Sequence, residues 1–225
     1  MIAGPPHEYL SMEPMAPRKG RAAREWAVEF HLRAIALLLL ILFAPFLFGV
    51  FVAIWLIDGG PVLFGHYRVG RHGKLFRCWK FRTMARDADE RLERLLASDP
   101  IARGEWEQWR KLSSDPRVTR LGSFLRKSSL DELPQLFNVL CGQMVFVGPR
   151  PITCQELHKY GNDRWYYLSV IPGITGLWQV SGRNQLSYAE RIQMDREYVE
   201  SRSLLIDLHI LSRTVGVVLR RDGVY

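Results

Sequence analysis

Ala34–Ile57, A-I-A-L-L-L-L-I-L-F-A-P-F-L-F-G-V-F-V-A-I-W-L-I, is a run of 24 residues without a charge, and the rest of the chain is read outward from it. It is long enough to cross a bilayer as one helix, but its flanks argue against crossing. Arg18, Lys19, Arg21, Arg24 and Arg33 precede it, and Arg68, Arg71, Lys74 and Arg77 follow. A spanning helix exports one of these basic flanks, against the positive-inside tendency. Pro45 divides the run into arms of 11 and 12 residues. Each arm is about 16–18 Å long at 1.5 Å per residue, roughly half of a ~30 Å hydrocarbon core. A helix broken at Pro45 can dip in and return to the same face, so a re-entrant helix is favoured over a spanning one. A cleaved signal is disfavoured, because the basic region is long and no A-x-A site follows.

The 225 residues carry a formal charge of +8 and a pI near 9.7, which implies anionic partners: nucleic acid, acidic lipid or phosphorylated substrates. Cys78, Cys141 and Cys154 are odd in number and contain no C-x-x-C, which excludes a disulfide framework or a zinc site and fits a reduced, cytoplasmic setting. The six histidines show no H-E-x-x-H spacing. Gly70–Lys74, G-R-H-G-K, is too short for a phosphate-binding P-loop.

Upstream of the apolar run, Pro5, Pro6, Pro14 and Pro17 mark a disordered leader, and Arg18–Arg33 is a basic segment suited to a membrane surface. Downstream, Asp58-Gly59-Gly60-Pro61 is a turn. Residues 61–82 alternate as a β-hairpin turning at Arg71–Lys74. Seven Arg or Lys and no acid lie between His66 and Arg86, interleaved with Phe76, Trp79 and Phe81. Such a ribbon suits single-stranded nucleic acid or anionic headgroups, or is simply a solvated basic face. Short helices are expected over Asp87–Ala97 and Glu105–Leu112. Two more are expected over 152–160 and 163–171, divided at Gly161-Asn162, followed by a strand over Leu177–Val180. Ser187 with Glu190 starts a further helix as a capping box. Leu204–Arg221 carries an apolar stripe that packs on the core or lies at an interface, with packing favoured.

Ser128–Pro151, S-S-L-D-E-L-P-Q-L-F-N-V-L-C-G-Q-M-V-F-V-G-P-R-P, holds the candidate chemistry. Ser129 and Glu132 have capping-box spacing, so a helix is expected from near Asp131 to Gly142, with Pro134 in its first turn. Asp131 and Glu132 point about 100° apart there and cannot share one job. Arg126 and Lys127 precede them, and nearby cations are expected to keep both carboxylates ionised by lowering their pKa. On the carboxylates alone, an ordinary capped helix with solvated acids is the favoured explanation of the pair. Ser181-Gly182-Arg183-Asn184 is either a plain turn or a phosphate cradle.

S-L-D-E-L-P-Q-L-x-N-V-L, V-G-P-R-P and P-G-I-T-G-L-W-Q-V-S-G-R-N resemble the bacterial sugar transferases, the monotopic phosphoglycosyl transferases. The likeness runs from Ala34 to Tyr225 and includes Lys80-Phe81-Arg82-Thr83-Met84. The closing V-G-V-V-L-R-R-D-G-V-Y is similar to the subgroup that uses undecaprenyl phosphate with galactose or glucose. The resemblance implies transfer of a hexose 1-phosphate from a UDP-sugar to undecaprenyl phosphate with release of UMP, priming exopolysaccharide, capsule or O-antigen synthesis. It implies Asp131 as nucleophile, Glu132 as the Mg²⁺ ligand, and Arg126 on a phosphate. Arg150 would shape the floor, Lys80 and Arg82 would face substrate or headgroups, and Arg183 and Asn184 would take the nucleotide or sugar. The family's kinked helix is often written Ser-Pro; here it is Ala44-Pro45, so one hydroxyl that satisfies a freed backbone group is missing.

The expected fold is α/β and mostly helical. Residues 1–33 are the leader and basic interfacial segment, 34–57 the re-entrant membrane helix, and 58–225 a cytoplasmic transferase domain with a small antiparallel hairpin and a C-terminal amphipathic helix. The expected place is the cytoplasmic face of a bacterial inner membrane, with no nucleic acid and with a homo-oligomer left open. The rival class is a membrane-tethered basic module for RNA or acidic lipid, which explains the charge but not an acidic pair among the cations.

Overall fold

The computed structural model describes residues 19–109, 112–182 and 185–220. The chain is mostly helical with two small sheets, and it forms two compact units. The apolar run is part of α1 (Lys19–Ile57), one helix with Pro45 inside it. Pro45 has no N–H to offer the carbonyl four residues back, and the division between the units falls at Ala44–Pro45. Val28–Ile57 is long and apolar enough to cross a membrane, and little of it is buried by the protein. Leu38, Ile41, Leu42, Phe48 and Leu56 are all more than 60% exposed. A helix that leaves so many aliphatic and aromatic groups exposed is compatible with membrane anchoring.

The first unit takes residues 19–44, 65–79 and 134–220. Ala36 of α1 is buried there with Phe76, Cys78, Val139 and Met144. After α5 (Gln135–Leu140) the chain forms β3 (Val145–Val147), which pairs in parallel with β4 (Gly173–Thr175), Val145 opposite Gly173 and Val147 opposite Thr175. A side chain at Gly173 would place its Cβ 2.1 Å from the Gly148 nitrogen, so only glycine allows this approach. Between the strands lie α6 (Cys154–Leu157), a 3-10 segment over His158–Asp163, and α7 (Arg164–Leu168). Gly161, at φ 49°, makes the expected break. α8 (Leu177–Ser181) stands where a strand is expected. The residues that pair are instead Gly173–Thr175, and Gly176 in extended conformation opens the helix, its carbonyl accepting from Gln179 N at 3.1 Å. A four-residue apolar run cannot separate the two outcomes.

α9 (Tyr188–Ser201) starts on the expected Ser187–Glu190 capping box. Of the stripe on α10 (Leu204–Arg220), Ile210 is fully buried with Val147, Val180 and Tyr198, and Ile206 packs beside it. Leu204, Leu205, Leu208 and Val215 stay exposed, so the core takes only one side of that helix.

The second unit takes residues 45–64 and 80–133. Ile54 of α1 is fully buried with Val62, Phe81 and Leu125. The expected hairpin, most of which belongs to the first unit, is present, with β1 (Leu63–Val69) paired to β2 (Leu75–Phe81) around a 3-10 turn at Arg71–Gly73. α2 (Ala88–Ser98) follows, then α3 (Pro100–Trp109), which begins five residues before the expected Glu105. The reason is Asp99-Pro100: the Asp99 carboxylate accepts from Ile101 N at 2.8 Å and Ala102 N at 3.1 Å, and proline fits the first helical position. Thr119 caps α4 (Arg120–Lys127) by accepting from Gly122 N at 2.9 Å.

The first unit also buries Asp195, which accepts from the Tyr160 hydroxyl at 2.6 Å. Burial pushes its pKa up to about 7, against the lowering effect of that hydrogen bond. A raised carboxylate pKa favours folding fully below the unfolded value of about 4, and the contribution is lost as pH rises through about 7. Asp195→Asn keeps an acceptor for Tyr160 and removes the charge. Relative to wild type, its stability is therefore expected to improve by roughly 4 kcal/mol between pH 4 and pH 8. Denaturant melts of both proteins across that range check this, and a pH-independent difference contradicts it.

Candidate active site

The carboxylate pair lies in the second unit. The expected helix from Asp131 is not formed there: Leu130–Glu132 is a single 3-10 turn, and α5 begins at Gln135 with Pro134 at its N-cap. Ser129 does not cap. It sits at φ 57°, in the left-handed region, and returns its N–H to the Arg126 carbonyl at 3.0 Å, ending α4. That role usually falls to glycine or asparagine, and it swings the chain so that Asp131 turns inward.

Asp131 is buried. Its pKa is raised to about 6, first by loss of solvent and also by Glu132, while Lys80 and Arg126 pull it down. The expected depression is thus overturned, because burial outweighs the cations. A value of about 6 leaves the carboxylate mostly ionised at pH 7. Lys80, near the end of β2, donates to Glu132 Oε1 at 2.5 Å, with both side chains about one quarter exposed. Arg126, in the last turn of α4, donates from Nε to Thr83 Oγ1 at 2.8 Å. Its remaining guanidinium nitrogens have no hydrogen bond among the described residues.

Lys80, Arg126, Asp131 and Glu132 therefore share one unit and one electrostatic neighbourhood. Arg82 belongs to the same unit but not to an open site. It is buried, and its Nη2 donates to the Asp58 carbonyl at 2.8 Å and to the Gly59 carbonyl, just after the C-terminal end of α1. Thr119 Oγ1 donates to the Asp58 carboxylate at 2.9 Å. Arg82, expected to face substrate or headgroups, directs its hydrogen bonds to carbonyls of the turn that follows α1. Thr83, Asp58 and Thr119 were not singled out by the sequence. Only Thr119, a threonine ahead of a helix, carries a readable signal.

Arg150 lies in the first unit, its guanidinium 6.0 Å from the centroid of the Trp178 ring. Arg183 and Asn184 lie outside the described residues. Among the described residues no group of three or more His, Cys, Asp or Glu side chains forms a metal cage. One carboxylate with room for phosphate oxygens and water suits Mg²⁺, which seldom takes an all-protein shell, and Glu132 beside Asp131 fits that requirement. The arrangement offers a shielded but ionised carboxylate with a free-edged guanidinium near it. Such a group can attack an electrophilic phosphorus once the charge there is balanced.

The bacterial sugar transferase family model matches residues 25–221. The chain is 60% identical over 168 residues to an undecaprenyl-phosphate galactose phosphotransferase of Salmonella typhimurium, covering 75% of this chain and 35% of that protein. It is 55% identical over 168 residues to a UDP-galactose-lipid carrier transferase of Erwinia amylovora, with the same coverage. It is also 48% identical over 191 residues to the exopolysaccharide production protein ExoY of Sinorhizobium fredii, covering 85% of this chain and 84% of that one. The chain thus spans about a third of the length of the first two relatives and most of the third. On this match, across nearly its whole length, the chain belongs to the bacterial sugar transferase family.

Proposed function

We propose that this chain moves a hexose 1-phosphate, galactose or glucose, from a UDP-sugar to undecaprenyl phosphate and releases UMP, as the priming step of exopolysaccharide, capsule or O-antigen synthesis. The observation that carries the reading is Asp131, a buried yet ionised carboxylate held near Arg126 and Lys80. In the first step an Asp131 oxygen forms a bond to the sugar-bearing phosphorus. The anhydride bond breaks, and its electron pair leaves with UMP. In the second, an oxygen of the lipid phosphate attacks the same phosphorus and the Asp131–phosphorus bond breaks, restoring the carboxylate. Arg126 holds phosphoryl oxygens through its free guanidinium edge. Glu132 would hold Mg²⁺, which supplies charge neutralisation at the phosphate oxygens when bound. Lys80 keeps Glu132 oriented between turnovers.

The long apolar helix supports the second substrate. A lipid phosphate stays at the bilayer surface, so the attacking oxygen can be met only by a protein held there. We read α1 as re-entrant about Pro45, with residues on both sides of it on the cytoplasmic face of a bacterial inner membrane. Cysteines introduced at positions 10 and 221 are expected to label from the same side of sealed vesicles. Opposite-side labelling overturns re-entrance and leaves the chemistry standing.

The chemistry has its own test. Asp131→Asn keeps size and removes the anion, so turnover of UDP-galactose or UDP-glucose with undecaprenyl phosphate is expected to fall to background. Wild type given UDP-sugar and Mg²⁺ without lipid is expected to release at most one UMP per chain and to gain one hexose phosphate by intact mass, mapped to Asp131. Full activity in Asp131→Asn sinks the assignment. Glu132→Gln is expected to lower activity, with partial recovery at raised Mg²⁺. Loss that no Mg²⁺ concentration relieves argues against Glu132 as the ligand.

A further inference from the structure

One face of the β1–β2 hairpin takes no part in the chemistry above. β2 turns Phe76 and Cys78 inward, where they are buried, and so turns Arg77 and Trp79 outward. The Arg77 Cζ lies 5.2 Å from the centroid of the Tyr67 ring and 5.9 Å from that of Trp79. A Cβ at Gly65 would lie 2.9 Å from the Trp79 ring, so Gly65, Tyr67, Arg77 and Trp79 share that face. All four belong to the first unit. Tyr67 and Arg77 are exposed. The ion pairs of the hairpin use Arg68, Arg71 and Lys80. Arg77 makes none among the described residues, and residues 59–86 contain no acid.

Contacts within the same unit set the height of this face along α1. Arg71, in the hairpin turn, pairs with Glu29 at 3.1 Å, while Phe76 and Cys78 are buried with Ala36. Glu29 and Ala36 are seven residues apart, about 10 Å along a helix. The turn therefore lies beside the charged part of α1. Phe76 and Cys78 lie beside the third residue of the uncharged run that begins at Ala34. Arg77 stands between them in the strand, so it and its two rings sit where the apolar segment begins. At that level of a bilayer, amphipathic rings and basic groups meet the headgroups. Single-stranded nucleic acid needs open ring faces on which to stack, and here Arg77 stands over both rings.

We infer that Tyr67, Arg77 and Trp79 form a docking surface for the anionic phospholipid headgroups of the bilayer, a second membrane contact beside α1. The two rings take the face of the Arg77 guanidinium, and its N–H edge takes lipid phosphate oxygens. This rests on the membrane placement of α1 given above and adds a contact that the catalytic reading does not require.

Photocrosslinking of the full-length chain tests it. Tyr67→p-benzoylphenylalanine is reconstituted into vesicles of phosphatidylcholine alone or mixed in equal parts with phosphatidylglycerol, irradiated, and read by mass spectrometry. Lipid adducts are expected at position 67, enriched in phosphatidylglycerol. Arg77→Gln in that chain is expected to lower the phosphatidylglycerol adduct about fivefold and to leave the adduct in pure phosphatidylcholine unchanged. Arg77→Lys, which keeps the charge, is expected to recover most of the loss. The same label at Phe48, inside the apolar run, reports on α1 by itself. Adducts at position 48 with none at position 67 overturn the inference and leave the placement of α1 standing. Adducts at neither position overturn both. Adducts at position 67 that ignore phosphatidylglycerol and Arg77 overturn the headgroup assignment. An adduct to added single-stranded RNA in place of lipid overturns the inference in favour of nucleic acid. Should Arg77→Gln not fold, the preference of the labelled chain for phosphatidylglycerol decides instead, and absence of that preference overturns the inference.

Discussion

A buried guanidinium at the end of an apolar helix is the constraint on which the second unit depends. α1 ends at Ile57, and Arg82 donates to the carbonyls of the two residues that follow it, Asp58 and Gly59. The next residue, Thr83, accepts from Arg126. Asp58 itself accepts from Thr119, the cap of the helix on which Arg126 rides. Two short hydrogen-bonded routes therefore run from the turn after α1 to Arg126 or the helix that carries it. Two nitrogens of Arg82, Nε and Nη1, remain buried without partners, a cost that the Ile54, Val62, Phe81 and Leu125 cluster beside it helps to offset.

The electrostatics of Asp131 follow from the same burial. Two cations act on it, yet loss of solvent is the larger influence and raises its pKa. A carboxylate that cations stabilised fully would be a weak nucleophile, and one with no cations near would be protonated at neutral pH. Asp131 stands between these limits. Glu132, only partly shielded and paired with Lys80, has the different character expected of a residue that exchanges partners.

Much of the architecture was legible in residue patterns. The alternation over residues 61–82 gave the hairpin, and Ser187 with Glu190 gave the start of α9. The same S-x-x-E spacing at Ser129–Glu132 misled, because the pattern does not reveal that α4 ends there and spends Ser129 on its exit. Lys80 and Arg82 look alike in sequence, two residues apart in the expected hairpin, but β2 ends at Phe81 and a turn distant in the chain claims only the second. The contact of Arg191 with the Trp178 ring was illegible for a similar reason: the two residues come from different helices, and contacts between elements leave no local period. The Asp131 pKa was misjudged because sequence displays neighbouring charges and hides the depth at which they lie.

One glycine has implications for how this chain can vary. A Cβ at Gly122 would lie 2.0 Å from the Thr83 carbonyl oxygen, so α4 rests main chain against main chain on the end of the hairpin. No rearrangement of rotamers can relieve such a collision. The placement of Arg126 is consequently indifferent to which side chains occupy the outer face of α4 and wholly sensitive to one hydrogen atom. Drift at Ser123 or Phe124 alters a surface. Drift at residue 122 dislocates a helix.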